Sequence, residues 1–377
     1  MLCLLRIFKF KKLIKKTRMY NFDWSLKETQ FSKSKGKVFS CFACGGGSTM
    51  GYKLSGYDVL GCNEIDYRMM DLYIKNHNPK YSFLEPIQEF ANRDSFPKEL
   101  YDLSIFDGSP PCSSFSMAGN RELDWGKKKK FREGQSEQVL DDLFFHFIKL
   151  AKKLQPKIIV AENVKGLLLG NAKKYVAEIY KQLKDAGYHT NHYLLNAKDM
   201  QVPQRRERVF FISVRQDLVD TCLKQVNFFD KELNINLDFQ HQEINFGKIS
   251  DDCDTSVKDN TIASELWEKT KQGQSFSTVH PKGHYFGDNR ASKDLVLPTV
   301  IADVGHGSWH YNIKRMLNDN ELIKASTFPK DYDFGNQKVK YVVGMSVPPI
   351  MMAHIADAIY RDLLCKIQPK TDHQLHQ

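Results

Sequence analysis

Short apolar runs alternate with amphipathic segments through two parts of the chain. Runs rich in Val, Ile, Leu and Phe that are bounded by glycine or charged residues predict buried strands, whereas apolar residues spaced three and four apart predict helices. The predicted strands cover residues 38–42, 59–63, 103–106, 157–161, 188–195 and 208–214. The predicted helices follow a glycine turn at 43–48 and cover residues 140–154 and 171–186. Strands that alternate with helices indicate an α/β fold built on a parallel sheet.

The pattern changes in the second half of the chain. From about residue 216 to 297 the alternation is lost, and aromatic and histidine side chains are scattered through a polar segment, so we predict a second, smaller domain there. Residues 339–365 regain a regular pattern. They predict a short strand at Val339–Val343, a turn at Gly344–Pro349 and a helix that continues through Leu364.

Composition places the chain among globular proteins, with 41% hydrophobic and 27% charged residues. No run of about 18 apolar residues occurs, so we expect no membrane span. The net charge of +10 is concentrated in residues 1–18, which carry seven basic side chains and no acidic one. We interpret this segment as an extension upstream of a start at Met19; the alternative is a basic amphipathic segment that binds membrane or nucleic acid. Eight cysteines without a secretory signal indicate reduced thiols.

The first predicted strand leads into a glycine turn, and the second ends in an acidic residue. Three glycines at 45–47 open the helix after the first strand, and Glu64 closes the second strand. Glycines allow a ligand to approach the backbone, and an acid at this place binds ribose hydroxyls. The spacing is not G-x-G-x-x-G, which favours another adenosine ligand over a dinucleotide; a purely structural turn is the alternative. Cys41 and Cys44 have no second pair nearby that would complete a zinc site.

Candidate reactive groups follow the other strands. Cys112 comes after two consecutive prolines and a short apolar run, so it is predicted to lie on a stiff loop at a strand end. Its thiolate would be a strong nucleophile, although a lone Pro-Cys can also be an incidental turn. Glu162 closes the strand at 157–161, and arginines at 205, 206 and 208 lead into a later strand. Arginines are costly to bury without anionic or carbonyl partners, so they mark a site unless they form an exposed charged turn.

A set of separated motifs agrees in order and spacing with one known family. The chain resembles the C5-cytosine-specific DNA methyltransferases of the bacterial and phage restriction–modification type. The resemblance covers about residues 37–360 and leaves out the variable middle. It rests on Phe42-Ala43 with the glycine turn, Asn63-Glu64, Pro111-Cys112 with Phe115-Ser116, Glu162-Asn163-Val164, Gln204 through Arg208, Pro298-Thr299, Arg315, Glu321, Phe328-Pro329 and Gly344 through Pro349.

The resemblance implies a Rossmann-like, S-adenosylmethionine-dependent methyltransferase domain with a mixed, mostly parallel sheet, plus a smaller irregular target-recognition domain. The implied partner is double-stranded DNA in the cytoplasm of a bacterium or of a phage-infected host. We expect a monomer that needs no metal and no membrane. The implied divisions are a basic N-terminal extension at 1–36, the catalytic and cofactor-binding domain at 37–215, the target-recognition domain at 216–330, a C-terminal segment returning to the catalytic domain at 331–366 and a tail at 367–377.

The resemblance also implies roles for individual residues. Cys112, Glu162, Arg206 and Arg208 are implied to be catalytic: the thiolate adds to cytosine C6, Glu162 relieves charge at N3, and an arginine does so at O2. The target base must leave the duplex, and the basic stretch 118–138 is expected to close over it; a solvated surface loop is the alternative. Substrate contacts are implied for Ser116, Asn163 and Gln204. The implied contacts of S-adenosylmethionine are Phe42, Ala43, Gly45, Gly46, Gly47, Glu64, Ile65, Ile87, Pro111, Leu143, Ser346 and Val347.

Three positions depart from the family's pattern, and all three concern cofactor affinity. Cys44 stands where the first turn usually has glycine, and Met345 stands where the late turn usually has asparagine. Pro86 occupies the place of an acid, with Glu85 or Gln88 as possible substitutes.

Three rival functions bear on the same residues. An RNA cytosine-5 methyltransferase would use the same groups, although the long recognition segment favours duplex DNA. A catalytically silent DNA-binding homologue would be expected to lack Cys112 or Glu162, and both are present. A nicotinamide dehydrogenase would explain the first glycine turn but neither the Pro-Cys loop nor the arginine cluster.

Overall fold

The computed structural model describes residues 18–111, 142–170, 172–227, 230–259, 261–285 and 287–367, and the backbone alone at 128–129 and 138–139. A seven-stranded sheet lies at its centre. The strands are β1 Lys37–Cys41, β2 Asp58–Glu64, β3 Tyr81–Leu84, β4 Ile105–Gly108, β5 Ile158–Val164, β6 Tyr188–Asn196 and β7 Glu207–Arg215. Their order in the sheet is β3-β2-β1-β4-β5-β7-β6. All neighbouring strands are parallel except β7, which is antiparallel to both β5 and β6. The prediction of a mixed, mostly parallel sheet is therefore confirmed.

The helices are α1 Gly47–Ser55, α2 Tyr67–His77, α3 Ile87–Asn92, α4 Leu143–Leu154, α5 Ala172–Asp185, α6 Ile262–Lys269, α7 Asp319–Ala325, α8 Val339–Met345 and α9 Pro349–Ile359, which continues through a π-helical turn at Tyr360–Leu364 to Ile367. Helices α1 and α9 pack on one face of the sheet, against Val38, Ile105 and Val160. Helices α3, α4 and α5 pack on the other face, against Phe39 and Phe106. Because successive strand residues point to opposite faces, strands covered on both sides are apolar throughout, as the sequence pattern indicated.

The prediction of a strand at Val339–Val343 is wrong, because residues 339–345 form helix α8. The three valines at 339, 342 and 343 are spaced three and four apart, so a helix places them on one face. That face is buried in a cluster with Phe328 and Ala325 of the preceding segment. The β-branched valines favour a strand locally, and burial of the common face outweighs this preference. Strand β3 and helix α3 were not predicted, since four and six residues are too few for a clear periodicity.

Short elements occupy much of the described chain between residues 216 and 330. The first part of this region, as far as Phe239, packs on the central sheet. Leu233, Ile235 and Leu237 belong to the same hydrophobic cluster as α9. Between Ile244 and Val343 the clustered buried side chains belong to two other clusters, and from Val347 the chain returns to the cluster that holds α9. The small two-stranded pairs are Lys128–Lys129 with Gln138–Val139, Leu223–Gln225 with Lys231–Leu233, and Asn289–Arg290 with Ser308–Trp309.

Residues 20–35, which the sequence placed in an extension, are attached to the folded core. Tyr20 is 9% exposed and its hydroxyl donates to Asp357 Oδ2 at 2.6 Å. Trp24 is 8% exposed and its indole N–H donates to the carbonyl oxygen of Thr327 at 2.9 Å. The segment therefore bridges α9 and the chain after α7. Residues 1–17 lie outside the described residues.

Residues 339–367 are long and apolar enough to cross a membrane, with a mean hydropathy of 1.5. However, 89% of the most apolar 18-residue stretch in this range is buried inside the protein. Helix α9 in particular is covered by α1 and the sheet, and its buried side chains include Ile350, Met351, Ile355 and Ile359. Burial on this scale is that of a central core helix.

Candidate active site

The candidate site lies at the carboxyl edge of the sheet. Strands β1, β2, β4 and β5 are parallel, so their carboxyl ends lie along one edge, where α/β proteins bind ligands. The glycine turn follows β1, Glu64 ends β2, and Pro110 and Pro111 follow β4. Strand β7 begins at this edge, where Arg208 is paired with Val164 of β5. Residues predicted from separate motifs are thus brought to one side of the molecule.

The turn after β1 has a backbone that requires glycine. Gly46 has φ +82°, and a Cβ there would lie 2.1 Å from Nε2 of His77. A Cβ on Gly47 would lie 2.2 Å from the carbonyl oxygen of Val347. Cys44 is also left-handed, with φ +48°, which is uncommon for a residue with a side chain. Backbone strain of this kind is concentrated at ligand sites, and the turn is held in place by the segment around Val347.

Glu64 is held by the backbone of this turn. Its Oε2 accepts from the N–H of Cys44 at 2.8 Å, and its Oε1 accepts from the N–H groups of Ile65 and Asp66 at 2.8 and 3.0 Å. Burial raises the pKa of Glu64, and the three N–H groups act in the opposite direction. A carboxylate offers about four acceptor positions, so one remains on Oε2 for a ligand hydroxyl.

The other residues that were predicted to contact a cofactor fall into two groups, those buried in the core and those half-buried at the sheet edge. Ile87 and Leu143 are 3% and 1% exposed and belong to the core beneath α3 and α4. Ser346 donates to the carbonyl oxygen of Val342 at 2.8 Å, and it precedes the Val347 carbonyl that touches the glycine turn. Four predicted residues are half-buried at the edge itself: Phe42, Ala43, Ile65 and Pro111.

Cys112 and Ser116 lie outside the described residues, but the chain that leads to them is described through Pro111. The side-chain amide of Asn163 donates to the carbonyl oxygen of Pro110 at 3.0 Å. A Cβ on Gly108 would lie 2.5 Å from the ring of Phe147, so the strand leaves the sheet in close contact with α4. Asn163 was predicted to bind substrate; in the structure it fixes the path of the Pro-Pro segment.

Glu162 and Arg208 form an ion pair at the sheet edge, with Arg208 Nε 2.9 Å from Glu162 Oε1. Their side chains are 10% and 15% exposed, so the pair is largely shielded from water but not closed off. Burial lowers the pKa of Arg208, and the neighbouring Glu162 carboxylate opposes this shift. Among the described residues, no hydrogen bond to the other carboxyl oxygen of Glu162 is formed.

Arg206 and Gln204 connect the sheet to the second half of the chain. The Arg206 guanidinium, in a residue 3% exposed, donates to the carbonyl oxygens of Val300 and Gly344 at 3.1 and 3.0 Å. The Gln204 amide donates to the carbonyl oxygen of Ala325 at 2.9 Å and accepts from the N–H of Val300 at 3.1 Å. Carbonyl oxygens thus pair with two nitrogens of the buried guanidinium, while its Nε has no hydrogen-bond partner among the described residues. Arg206 was predicted to be catalytic and Gln204 to bind substrate; both are placed here as links between segments.

Comparison with known proteins decides the family. The sequence model of the C-5 cytosine-specific DNA methylases matches residues 36–361. The chain belongs to this family. The family, the enzyme class and the fold that the sequence predicted are thereby confirmed.

Several DNA methylases are similar to this chain. It is 25% identical to the type II methyltransferase M.NgoFVII of Neisseria gonorrhoeae over 87% of each chain. It is 35% identical to M.FnuDI of Fusobacterium nucleatum, where the match spans 48% of each chain, so it covers about half of that relative. Among solved structures, DNMT2 of Spodoptera frugiperda has a TM-score of 0.57 at 14% identity, with 86% of this chain and 99% of that chain covered. A likeness at that identity supports the fold alone.

Sequence reasoning missed a buried polar group of this DNA methylase. Asp107 of β4 is 1% exposed and accepts hydrogen bonds from Ser40 Oγ at 2.7 Å and from Tyr52 OH at 3.1 Å. Burial raises its pKa to about 7, while the two donors act to lower it. The signal in the sequence was an acid directly after an apolar run, five residues before Cys112. Within the described residues, no group of three His, Cys, Asp or Glu side chains could hold a metal ion.

Proposed function

We propose that this DNA methylase transfers a methyl group from S-adenosylmethionine to C5 of a cytosine flipped out of a specific duplex sequence. The observation that carries the proposal is the Glu162–Arg208 pair, which lies at the edge where the chain leaves β4 for Cys112. Asn163, the neighbour of Glu162, binds the carbonyl oxygen of Pro110. The acid and the nucleophile loop are therefore positioned by adjacent residues of one strand.

The chemistry that we assign to these residues begins with the thiolate of Cys112, which adds to C6 of cytosine. This addition needs relief of charge at N3, which the Glu162 carboxyl group supplies by donating a proton there. We assign to Arg208 the orientation of that carboxyl group, which it contacts at 2.9 Å, and the stabilisation of charge on O2. Bound S-adenosylmethionine supplies an electrophilic methyl group to the C5 carbon that the addition has made nucleophilic. A base then takes the C5 proton, Cys112 leaves as the thiolate, and the N3 proton returns to the Glu162 carboxylate.

The cofactor site that we propose is formed by the turn at 44–47 together with Glu64. The remaining acceptor position on Glu64 Oε2 fits a ribose hydroxyl, and the glycines let a ligand lie against the backbone. Cys44 adopts a left-handed conformation although it carries a side chain, so this departure from the family's pattern is compatible with a left-handed turn.

We propose duplex DNA as the substrate in the cytoplasm, and protection of that DNA from a cognate restriction enzyme as the biological role. Flipping the target base costs a few kcal/mol that protein–DNA contacts must offset. The relatives M.NgoFVII and M1.HphI are named as type II methyltransferases. We further propose that the protein acts as a monomer without a metal ion.

Transfer of tritiated methyl groups from S-adenosylmethionine to DNA or to RNA tests the proposal. We expect incorporation into duplex DNA, and bisulfite sequencing of DNA from an expressing host should show methylcytosine in one sequence context. Cys112→Ser should abolish transfer and keep DNA binding, because a hydroxyl group does not add to C6 at a useful rate. Incorporation into RNA alone would favour the RNA methyltransferase, and incorporation into neither would contradict the proposed activity.

A further inference from the structure

The carboxyl group of Asp107 lies in the middle of the sheet, below the two loops of the candidate active site. Asp107 is the third residue of β4, and β4 lies between β1 and β5. Ser40 of β1 is its register neighbour and donates to Oδ2, while Tyr52 of α1 donates to Oδ1. Burying a carboxyl group is unfavourable without such partners. An apolar side chain in its place would leave two buried hydroxyl groups without an acceptor.

The two hydrogen bonds join the segments that lead to the nucleophile and to the cofactor turn. Cys112 follows Asp107 by five residues, and Gly45 follows Ser40 by five. Tyr52 lies on α1, the helix that the glycine turn opens. The carboxyl group is thus attached to the strand before the turn, to the helix after it and, through its own strand, to the loop of Cys112.

We propose that Asp107 is a positioning residue for methyl transfer, which holds the strand of the nucleophile in fixed register with the cofactor turn. This inference rests on the proposed function, since it needs Cys112 as the nucleophile and the turn as the cofactor site. Reacting atoms must be held about 3–3.5 Å apart and in line, and small displacements reduce the rate strongly. Asp107 acts through Ser40, Tyr52 and its own strand, without touching the substrate.

The ionised carboxyl group accepts from both donors, whereas the protonated group keeps only its carbonyl oxygen as a strong acceptor. As a carboxylate it accepts at both oxygens, but once protonated it must donate at one of them. Burial raises its pKa to about 7, so the group changes charge near neutral pH. The ionisable or polar groups that act on it are Ser40 and Cys41 of β1, Tyr52 of α1, Tyr73 of α2 and Glu162 of β5. We therefore expect the positioning to depend on pH.

Asp107→Asn tests the inference because an amide, like the protonated acid, keeps one acceptor oxygen and has a donor group in place of the other. The kcat of wild type and variant is measured with a duplex substrate from about pH 5.5 to 8.5. At the lowest pH we expect nearly equal kcat values for wild type and Asp107→Asn. Above pH 7 we expect the wild type to be about tenfold faster, because a small displacement of reacting atoms reduces a rate by about that factor or more. Asp102→Asn is the matched control, because Asp102 is exposed, precedes β4 and pairs with Lys37. Its rate relative to wild type should not vary with pH.

A wild-type to Asp107→Asn ratio that is constant with pH would overturn the inference, since a purely structural defect gives a constant ratio. If Asp107→Asn does not fold, Tyr52→Phe decides the matter. Loss of that donor raises the pKa of Asp107, so the ratio of wild type to Tyr52→Phe should also change across neutral pH; a constant ratio contradicts the inference. A wild type that methylates no cytosine would refute the proposed function instead.

Discussion

At the scale of single residues, the Glu162–Arg208 ion pair is the most direct place to test the chemistry. Glu162→Gln keeps the shape of the side chain but removes the proton that we assign to N3. We expect kcat to fall by about 100-fold or more, with S-adenosylmethionine affinity nearly unchanged. Single-turnover methyl transfer and calorimetric titration of the cofactor measure the two quantities separately.

Glu207→Gln is the matched control for that variant. Glu207 is the neighbour of Arg208, and its carboxylate forms a half-exposed ion pair with Lys165 at 2.9 Å. Exposed pairs contribute little, so this variant should keep the wild-type rate. Loss of cofactor binding with an intact chemical rate in Glu162→Gln would show that Glu162 belongs to the cofactor site.

The buried carboxyl group of Asp107 also makes stability depend on pH. Its pKa is raised from 3.8 to about 7 in the folded chain, so the contribution to stability is fully present below about pH 4 and is lost as pH rises through 7. Between pH 5 and 8 this amounts to about 3 kcal/mol. Urea unfolding should show wild type losing that much relative to Asp107→Asn; parallel pH curves for the two proteins would contradict the assignment.

At the scale of elements, the sequence correctly predicted the helices and strands whose hydrophobic pattern or turn residues extend over enough neighbouring positions to be recognised. The glycine turn, the strand ends at Glu64 and Glu162, and the long helices α4 and α5 are as expected within a few residues. Helix α8 was assigned to a strand because its valines favour strands locally and only the surrounding cluster decides their conformation.

The candidate site was predictable to a similar extent. The motifs indicated which strand ends meet, but not the partners of each side chain. Gln204, Arg206 and Asn163 make their hydrogen bonds to backbone groups of residues far away in the chain or at another strand end, and no spacing pattern encodes those contacts. Asp107 was overlooked for the same reason, since its partners lie on other elements.

The glycine turn supports a prediction at this scale. Gly46→Ala combines a left-handed backbone with a Cβ that would overlap the His77 ring, so we expect a loss of about 3 kcal/mol or more in stability and a loss of cofactor binding. Gly187→Ala is the control: its φ is +92°, but no atom lies within 4 Å of its added Cβ, so it should cost only about 1 kcal/mol. Equal losses of stability in the two variants would show that His77 moves aside.

At the scale of the whole molecule, the N-terminal segment holds two parts of the chain together. Tyr20 and Lys35 both contact Asp357 of α9, at 2.6 and 2.7 Å. The Asp331 carboxylate accepts from the N–H groups of Leu26 and Lys27 at 2.7 and 3.0 Å. These contacts join the helix that crosses the sheet to the segment after α7, so the segment is part of the fold that carries both halves of the site.

Two truncations separate this structural role from the charge of the first residues. A chain that begins at Met19 keeps every contact just described, so it should fold and methylate like the full chain. It loses seven positive charges. The slope of log affinity for DNA against log salt concentration changes by about 0.9 for each phosphate neutralised, and we expect a change that corresponds to fewer than about two phosphates.

A chain that begins at Lys37 also loses the burial of Tyr20 and Trp24, which is worth about 3–5 kcal/mol. We expect a clearly lower unfolding midpoint for the second chain alone. Loss of activity at low salt in the chain starting at Met19 would show that residues 1–18 belong to the working enzyme.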